Sequence, residues 1–269
     1  MKEITRRILK IRKIVSRIRK ETPKKIMDNR GSLFSAVECI DKIYLKENVK
    51  RLFPTNVASG NTVSHSHPLK KDFLKGSVTI DHGFIHEGMK IDTAFSTLFS
   101  TYSEKKYYDS IRTSYINYIS RLRQKISQSK ITNMEMAILF DQVFGKESKN
   151  CCKTLMGHRI DNSLHEEPFL QMGLYNNKLL VDNKILEDGY YAIEIYFSKD
   201  LNEKYIDNNT DKKRSIYSAK GEYLTYQESR NLVVDQTYFP IVCPNQRVLQ
   251  IEETFILRNK KLVCLTAKL

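Results

Sequence analysis

The residues Asp28-Asn29-Arg30-Gly31-Ser32-Leu33-Phe34-Ser35-Ala36-Val37 bring a turn, a hydroxyl and an apolar helix start together. Asn29 to Gly31 supply turn chemistry, and Ser32 is a favoured N-cap. Leu33, Phe34, Ala36, Val37 and Ile40 then form the apolar face of a helix expected to run to about Lys50. A group at such a cap sits at the positive end of the helix dipole, where a nucleophile or a bound anion is stabilised. The plainer reading is a serine that caps a core helix.

Four other constellations bear on chemistry. His65-Ser66-His67, Asp81-His82 and His86-Glu87 give a His-x-His pair followed by a His-x3-His pair, spacings at which imidazoles ligate zinc. Gly83 and Gly88 interrupt that segment, so these histidines read as loop groups in ordinary hydrogen bonds, and no metal or other cofactor is expected. Gln250-Ile251-Glu252 resembles the Gln-x-Glu element of ADP-ribosyltransferase toxins, although alternation in a strand would set Glu252 and Glu253 on opposite faces. Asp188 to Glu194 has the acid-before-strand look of a metal-dependent nuclease, but Tyr196 stands where a lysine is needed. Cys151-Cys152 has no second pair to complete a zinc ribbon, and with Cys39, Cys243 and Cys264 it makes an odd set suited to free thiols in a reducing compartment.

The elements that would position these groups begin with a basic helix. Ile4, Ile8, Ile11, Val15 and Ile18 fall on one stripe, while Arg6, Arg7, Lys10, Arg12, Lys13, Arg17 and Arg19 cover most of the rest, and Pro23 is expected to stop the helix. The chain carries +14 overall, and residues 1–30 hold twelve Lys and Arg against Glu3, Glu21 and Asp28, so the remainder carries only +5. Such a helix is suited to RNA, DNA or an acidic membrane, or it packs its stripe on the domain and leaves its charges solvated. No apolar run approaches the roughly 18 residues of a membrane span, and the expectation is a soluble intracellular protein, with association to a membrane surface as a variant.

Beyond that helix, Pro54 to Pro68 reads as a loop, residues 77–99 as short β runs broken at Gly83 and Gly88, and Glu104 to Ser127 and Asn133 to Phe144 as helices. From Phe169 onward come β-like runs at 169–174, 178–181, 190–197, 222–226, 231–242, 247–257 and 261–266, with Asn176-Asn177, Pro244-Asn245 and Asn259-Lys260 among the turn tips and Asp200 to Arg214 as an exposed excursion. The fold class is therefore α+β, with a helical N-terminal half and an antiparallel, β-rich C-terminal half. Residues 1–22 form the basic amphipathic helix, and 23–269 form one domain with a possible subdivision near 150–168.

With the helices placed, Ser32-Leu33-Phe34-Ser35-Ala36-Val37 resembles the nucleophile segment of the OTU (ovarian tumour) family of deubiquitinating cysteine proteases, with Ser32 in the position of the cysteine. Thr132 to Leu139 is similar to a second helix of that family. The resemblance implies a protein that binds ubiquitin or another protein tail, with Ser32 and Asp28 at the nucleophile loop and His158 or His165 as the candidate base. Gly189 stands where the family's late strand carries histidine, so the match implies weak or absent hydrolysis.

Overall fold

A computed structural model describes residues 2–199, 201, 207–208, 211–219, 222–230, 232–243 and 246–269. In chain order these form α1 (Lys2–Asp28), α2 (Phe34–Glu47), β1 (Lys50–Ser59), β2 (Thr62–Ser64), β3 (Val78–His86), β4 (Met89–Thr97), α3 (Tyr102–Gln128), α4 (Asn133–Phe144) and a 3-10 turn, Gly145–Asn150. There follow β5 (Gly157–Ile160), β6 (Glu166–Leu170), β7 (Gly189–Phe197), β8 (Asp207–Asn208), β9 (Ile216–Ala219), β10 (Glu222–Leu224), α5 (Tyr226–Ser229), β11 (Gln236–Tyr238), β12 (Ile241–Val242), β13 (Leu249–Arg258) and β14 (Lys261–Cys264). The fold is α+β, as the sequence pattern requires. The chain divides into two compact units, Met1–Ser100 with Lys204–Leu249, and Thr101–Glu203 with Gln250–Leu269.

In the first unit α1 packs on α2, and Ile11, Ile14, Val15, Ile18 and Ile26 of α1 are fully buried. Pro23 does not stop the helix, which continues to Asp28. The ring removes one backbone bond, a cost of about 3 kcal/mol in a helix interior, and the complete burial of Ile26 on the following turn offsets it. The stretch expected as a loop from Pro54 is instead strand to Ser59, antiparallel to β3. Pro54 fits because the register slips between Phe53 and Asn56, a bulge where a missing N–H is tolerated. β3 and β4 form a hairpin whose turn, Glu87-Gly88, takes positive φ at both residues. Gly83 does not break β3; a Cβ there would run into the Phe53 ring, so glycine is what the packing admits. Two small sheets, β10-β9-β11 and β2-β12-β8, complete the unit. The excursion from Asp200 is described only in part, with Asp207–Asn208 paired to β12, and the turn at Pro244-Asn245 lies outside the described residues.

In the second unit β13, β7, β5 and β6 are neighbours in that order, and β14 pairs with β13 through the Asn259-Lys260 turn, again with both φ positive. Helix α3 buries Tyr115, whose hydroxyl donates to the Ile193 carbonyl at 2.7 Å. Helix α4 starts on a capping box of Thr132 and Glu135. The β-like runs at 169–174 and 178–181 yield strand only to Leu170, because Gly173, Asn176 and Asn177 turn the chain at positive φ.

Candidate functional site

The β3–β4 hairpin of the first unit places two acids on one face. Asp92 lies opposite Gly83, which is two residues from Asp81, so both carboxylates leave the same side of the ladder as diagonal neighbours. Both are buried. Asn56 Nδ2 donates to Asp81 Oδ2 at 2.7 Å, while Oδ1 is buried with no hydrogen-bond partner among the described residues. Burial raises the Asp81 carboxyl above the usual carboxylate range, against the Asn56 hydrogen bond that favours the charged form.

The second unit builds a matching face. His158 pairs with Ala192 across β5 and β7, and Glu194 is two residues further along β7, so His158 and Glu194 also share a face. His158 Nδ1 lies 3.2 Å from the Arg159 carbonyl oxygen. A carbonyl only accepts, so Nδ1 carries the proton of the neutral ring and Nε2 is the lone-pair nitrogen. That nitrogen faces Glu194 Oε1 at 4.0 Å. On β13, Gln250 and Glu252 project to one side, and Gln250 Nε2 donates to Glu194 Oε2 at 3.0 Å. Glu253 points the other way, where Thr266 donates to its carboxylate, so the two adjacent glutamates straddle the strand as their alternation requires.

The residues singled out from the sequence fall in several places. Ser32 is not the N-cap of α2: Leu33 holds that position without a side-chain cap, and Ser32 bridges Phe73. Ser32 and Asp28 line a surface depression of about 440 Å³ with Arg30, Phe34, Glu38 and Lys70, and no histidine lines it. His158 and His165 lie in the second unit with ring centroids 4.4 Å apart. The two pairs weighed for zinc do not make a helical site, since His82 and His86 sit four residues apart on β3, roughly 13 Å along a strand. The cations of α1 are largely engaged: Arg7 with Glu3 and Glu87, Lys10 with Glu47, Arg17 with Glu21 and Glu47, Arg19 with Thr93, and Arg6 with Glu87 at 3.4 Å. Arg12 is half-buried and Lys13 exposed. All five cysteines are buried free thiols, and burial pushes Cys151 up to about 12 and Cys264 to about 11, which removes them as nucleophiles at neutral pH. No described helix is long and apolar enough to cross a membrane.

Asp81, Asp92, Glu194 and Glu252 were not singled out together from sequence. Their signal is two acids on one hairpin face and two on strand faces that alternate with apolar neighbours, a pattern that pairing makes visible and local spacing does not.

Comparison with known proteins gives the family and the fold. The model of metallopeptidase family M24 matches residues 6–259. Methionine aminopeptidase from Thermotoga maritima superposes with a TM-score of 0.68 at 18% identity, over 96% of this chain and 94% of that one. The methionine aminopeptidase of Rickettsia prowazekii gives 0.61 at 13%, over 98% of each chain. The X-Pro aminopeptidase of Thermotoga maritima MSB8 gives 0.61 at 16%, over all of this chain and 62% of that one. No curated protein sequence matches. The M24 match overturns the OTU resemblance, and with it ubiquitin binding as the function, because it spans both segments that carried that resemblance. It equally displaces the ADP-ribosyltransferase reading and the reading of the chain as a nucleic-acid- or membrane-binding protein. The physical reasons are the uncapped start of α2, the histidine-free depression at Ser32, and an α1 stripe committed to the core.

Proposed function

The chain belongs to metallopeptidase family M24, and from that membership we propose that it is a metal-dependent, aminopeptidase-type hydrolase whose second unit offers His158, Glu194 and Glu252 to a divalent ion. One observation carries it, the 4.0 Å approach of His158 Nε2 to Glu194 Oε1. Two lone-pair donors face each other there beyond hydrogen-bond reach, yet within the roughly 4.2 Å that two metal bonds of about 2.1 Å span. In the first unit the buried Asp81 Oδ1 is likewise suited to a cation, since a carboxylate oxygen without a donor is satisfied by one. Carboxylates with one imidazole suit a first-row transition ion.

Such an ion, when bound, acidifies a water and polarises a peptide carbonyl. The chain's own groups prepare for it. The Arg159 carbonyl fixes the His158 tautomer, leaving Nε2 basic. In the first unit Asn56 fixes Asp81 through Oδ2 and leaves Oδ1 as a cation donor.

The test uses metal-stripped protein resupplied with Mn²⁺, Co²⁺ or Zn²⁺ and a panel of short peptides beginning with Met or with Xaa-Pro. Release of the first residue that requires the ion and disappears in Glu252→Gln is expected. Failure to bind any of the three ions, together with no cleavage of any peptide, overturns the reading. Preference for Met or for Xaa-Pro assigns the specificity within it.

A further inference from the structure

Gln250 is fully enclosed, 1% exposed, and precedes Glu252 by two residues on β13. Its Nε2 lies 3.0 Å from Glu194 Oε2, 3.4 Å from Glu252 Oε2 and 2.8 Å from Tyr196 Oη. The nitrogen, and not the amide oxygen, must face this way, because carboxylates only accept. The two amide hydrogens are best placed for Tyr196 Oη and Glu194 Oε2 on β7, and the longer approach to Glu252 Oε2 on β13 shares one of them.

We propose that Gln250 is a positioning residue that selects which carboxylate oxygens of Glu194 and Glu252 meet the ion, by engaging Oε2 of each and turning Oε1 toward it. This rests on the metal reading above. The geometry on β7 supports it directly: Glu194 Oε2 is on the amide while Oε1 is the atom that faces His158 Nε2. The neutrality of the amide matters as much as its shape. A lysine or arginine at position 250 would donate to the same oxygens but would bring the positive charge that the two carboxylates otherwise reserve for the metal. An amide orients without competing. Tyr196 acts one step further out, as the acceptor that keeps the Gln250 nitrogen pointed at the acids.

The experiment is calorimetric titration of metal-stripped, full-length protein with Mn²⁺ alone, paired with the visible absorption of the Co²⁺ form. Wild type is expected to bind. Gln250→Met, close in volume and without a donor, is expected to weaken binding by about 10- to 100-fold, the usual consequence of losing a group that orients a metal ligand, and to alter the Co²⁺ spectrum. Tyr196→Phe is expected to weaken it by about fivefold, the equivalent of one neutral hydrogen bond. Unchanged affinity and spectrum in a folded Gln250→Met protein overturn the positioning role and leave the metal reading intact. Should Gln250→Met lose its circular dichroism, Tyr196→Phe decides, and unchanged affinity there overturns the proposal. Absence of binding by wild type removes the metal reading and the positioning role together.

Discussion

Tyr44 Oη and His82 Nδ1 meet at 2.9 Å in the core of the first unit, joining α2 to the middle of β3. Both groups are buried, and the Phe84 and Phe95 rings pack around them. His82 Nε2 has no partner among the described residues, so the tyrosine satisfies the ring's other nitrogen in an apolar setting. Tyr44→Phe keeps the shape and strands that nitrogen. A loss of about 1–3 kcal/mol is expected, the cost of leaving a buried polar atom unsatisfied, measured by urea unfolding. Phe at 44 with unchanged stability would show that the hydrogen bond contributes nothing.

The basic helix α1 is a core element, and its truncation should behave as one. Ile14 is fully buried beside the apolar stripe of α1. Ile14→Ala is expected to destabilise by about 2–5 kcal/mol, the range for emptying a packed aliphatic site. Exposed Lys13, one residue away, should tolerate alanine within about 0.5 kcal/mol. Equal effects of the two changes in chemical unfolding would mean that the stripe does not pack as described.

How much of this was legible in the sequence depended on how local each feature is. The 4, 3, 4, 3 spacing of the α1 isoleucines and valine, the Asn133–Phe144 helix with its Gly145 stop, and the Asn259-Lys260 hairpin all stand, because a few neighbouring residues decide them. The continuation of α1 past Pro23 and the strand through Pro54 did not show, because burial of Ile26 and the bulge against β3 are tertiary facts that override proline's local preference. The candidate site was the least legible part. Its residues, Asp81 and Asp92 in the first unit and His158, Glu194 and Glu252 in the second, are far apart in sequence and reach shared strand faces within each unit only through strand pairing. Ser32 drew attention because a helix start looks reactive on its own.

The capping box at α4 offers a clean local test. Thr132 accepts from the Glu135 backbone, and the Glu135 carboxylate accepts from the Thr132 backbone at 2.9 Å. Thr132→Ala is expected to cost about 1 kcal/mol, within the range for lost N-caps, and Thr132→Ser to cost less than half of that. Thermal denaturation of the pair, run side by side, checks both the size and the order.

Removal of metal should lower stability as well as activity. An ion that binds only the folded chain contributes RT ln(1 + [L]/Kd), about 2.7 kcal/mol at a hundredfold excess over Kd. Dialysis against a chelator is expected to lower the melting temperature, and Mn²⁺ is expected to restore it in wild type but not in Glu252→Gln. A melting temperature indifferent to chelator and ion in both proteins would contradict the proposed centre.

Acid should weaken the first unit through His65. The ring is half-buried against the edge of Tyr238, centroids 5.8 Å apart, and desolvation lowers its pKa to about 4. The unfolded chain takes up that proton near the ordinary value of about 6.5, so between these limits the unfolded state binds more protons than the folded one. Stability contributed by the neutral ring is therefore full above about pH 6.5, declines as the pH falls, and is gone below about pH 4. His67, lowered in the same direction by burial, adds to the same slope. His65→Gln removes the titration while keeping a polar side chain of similar reach, so the drop in melting temperature from pH 7 to pH 4.5 is expected to be smaller in the variant than in wild type. Parallel pH profiles for the two proteins would mean that His65 already protonates in the folded state near its ordinary pKa, and that its packing against Tyr238 does not exclude water.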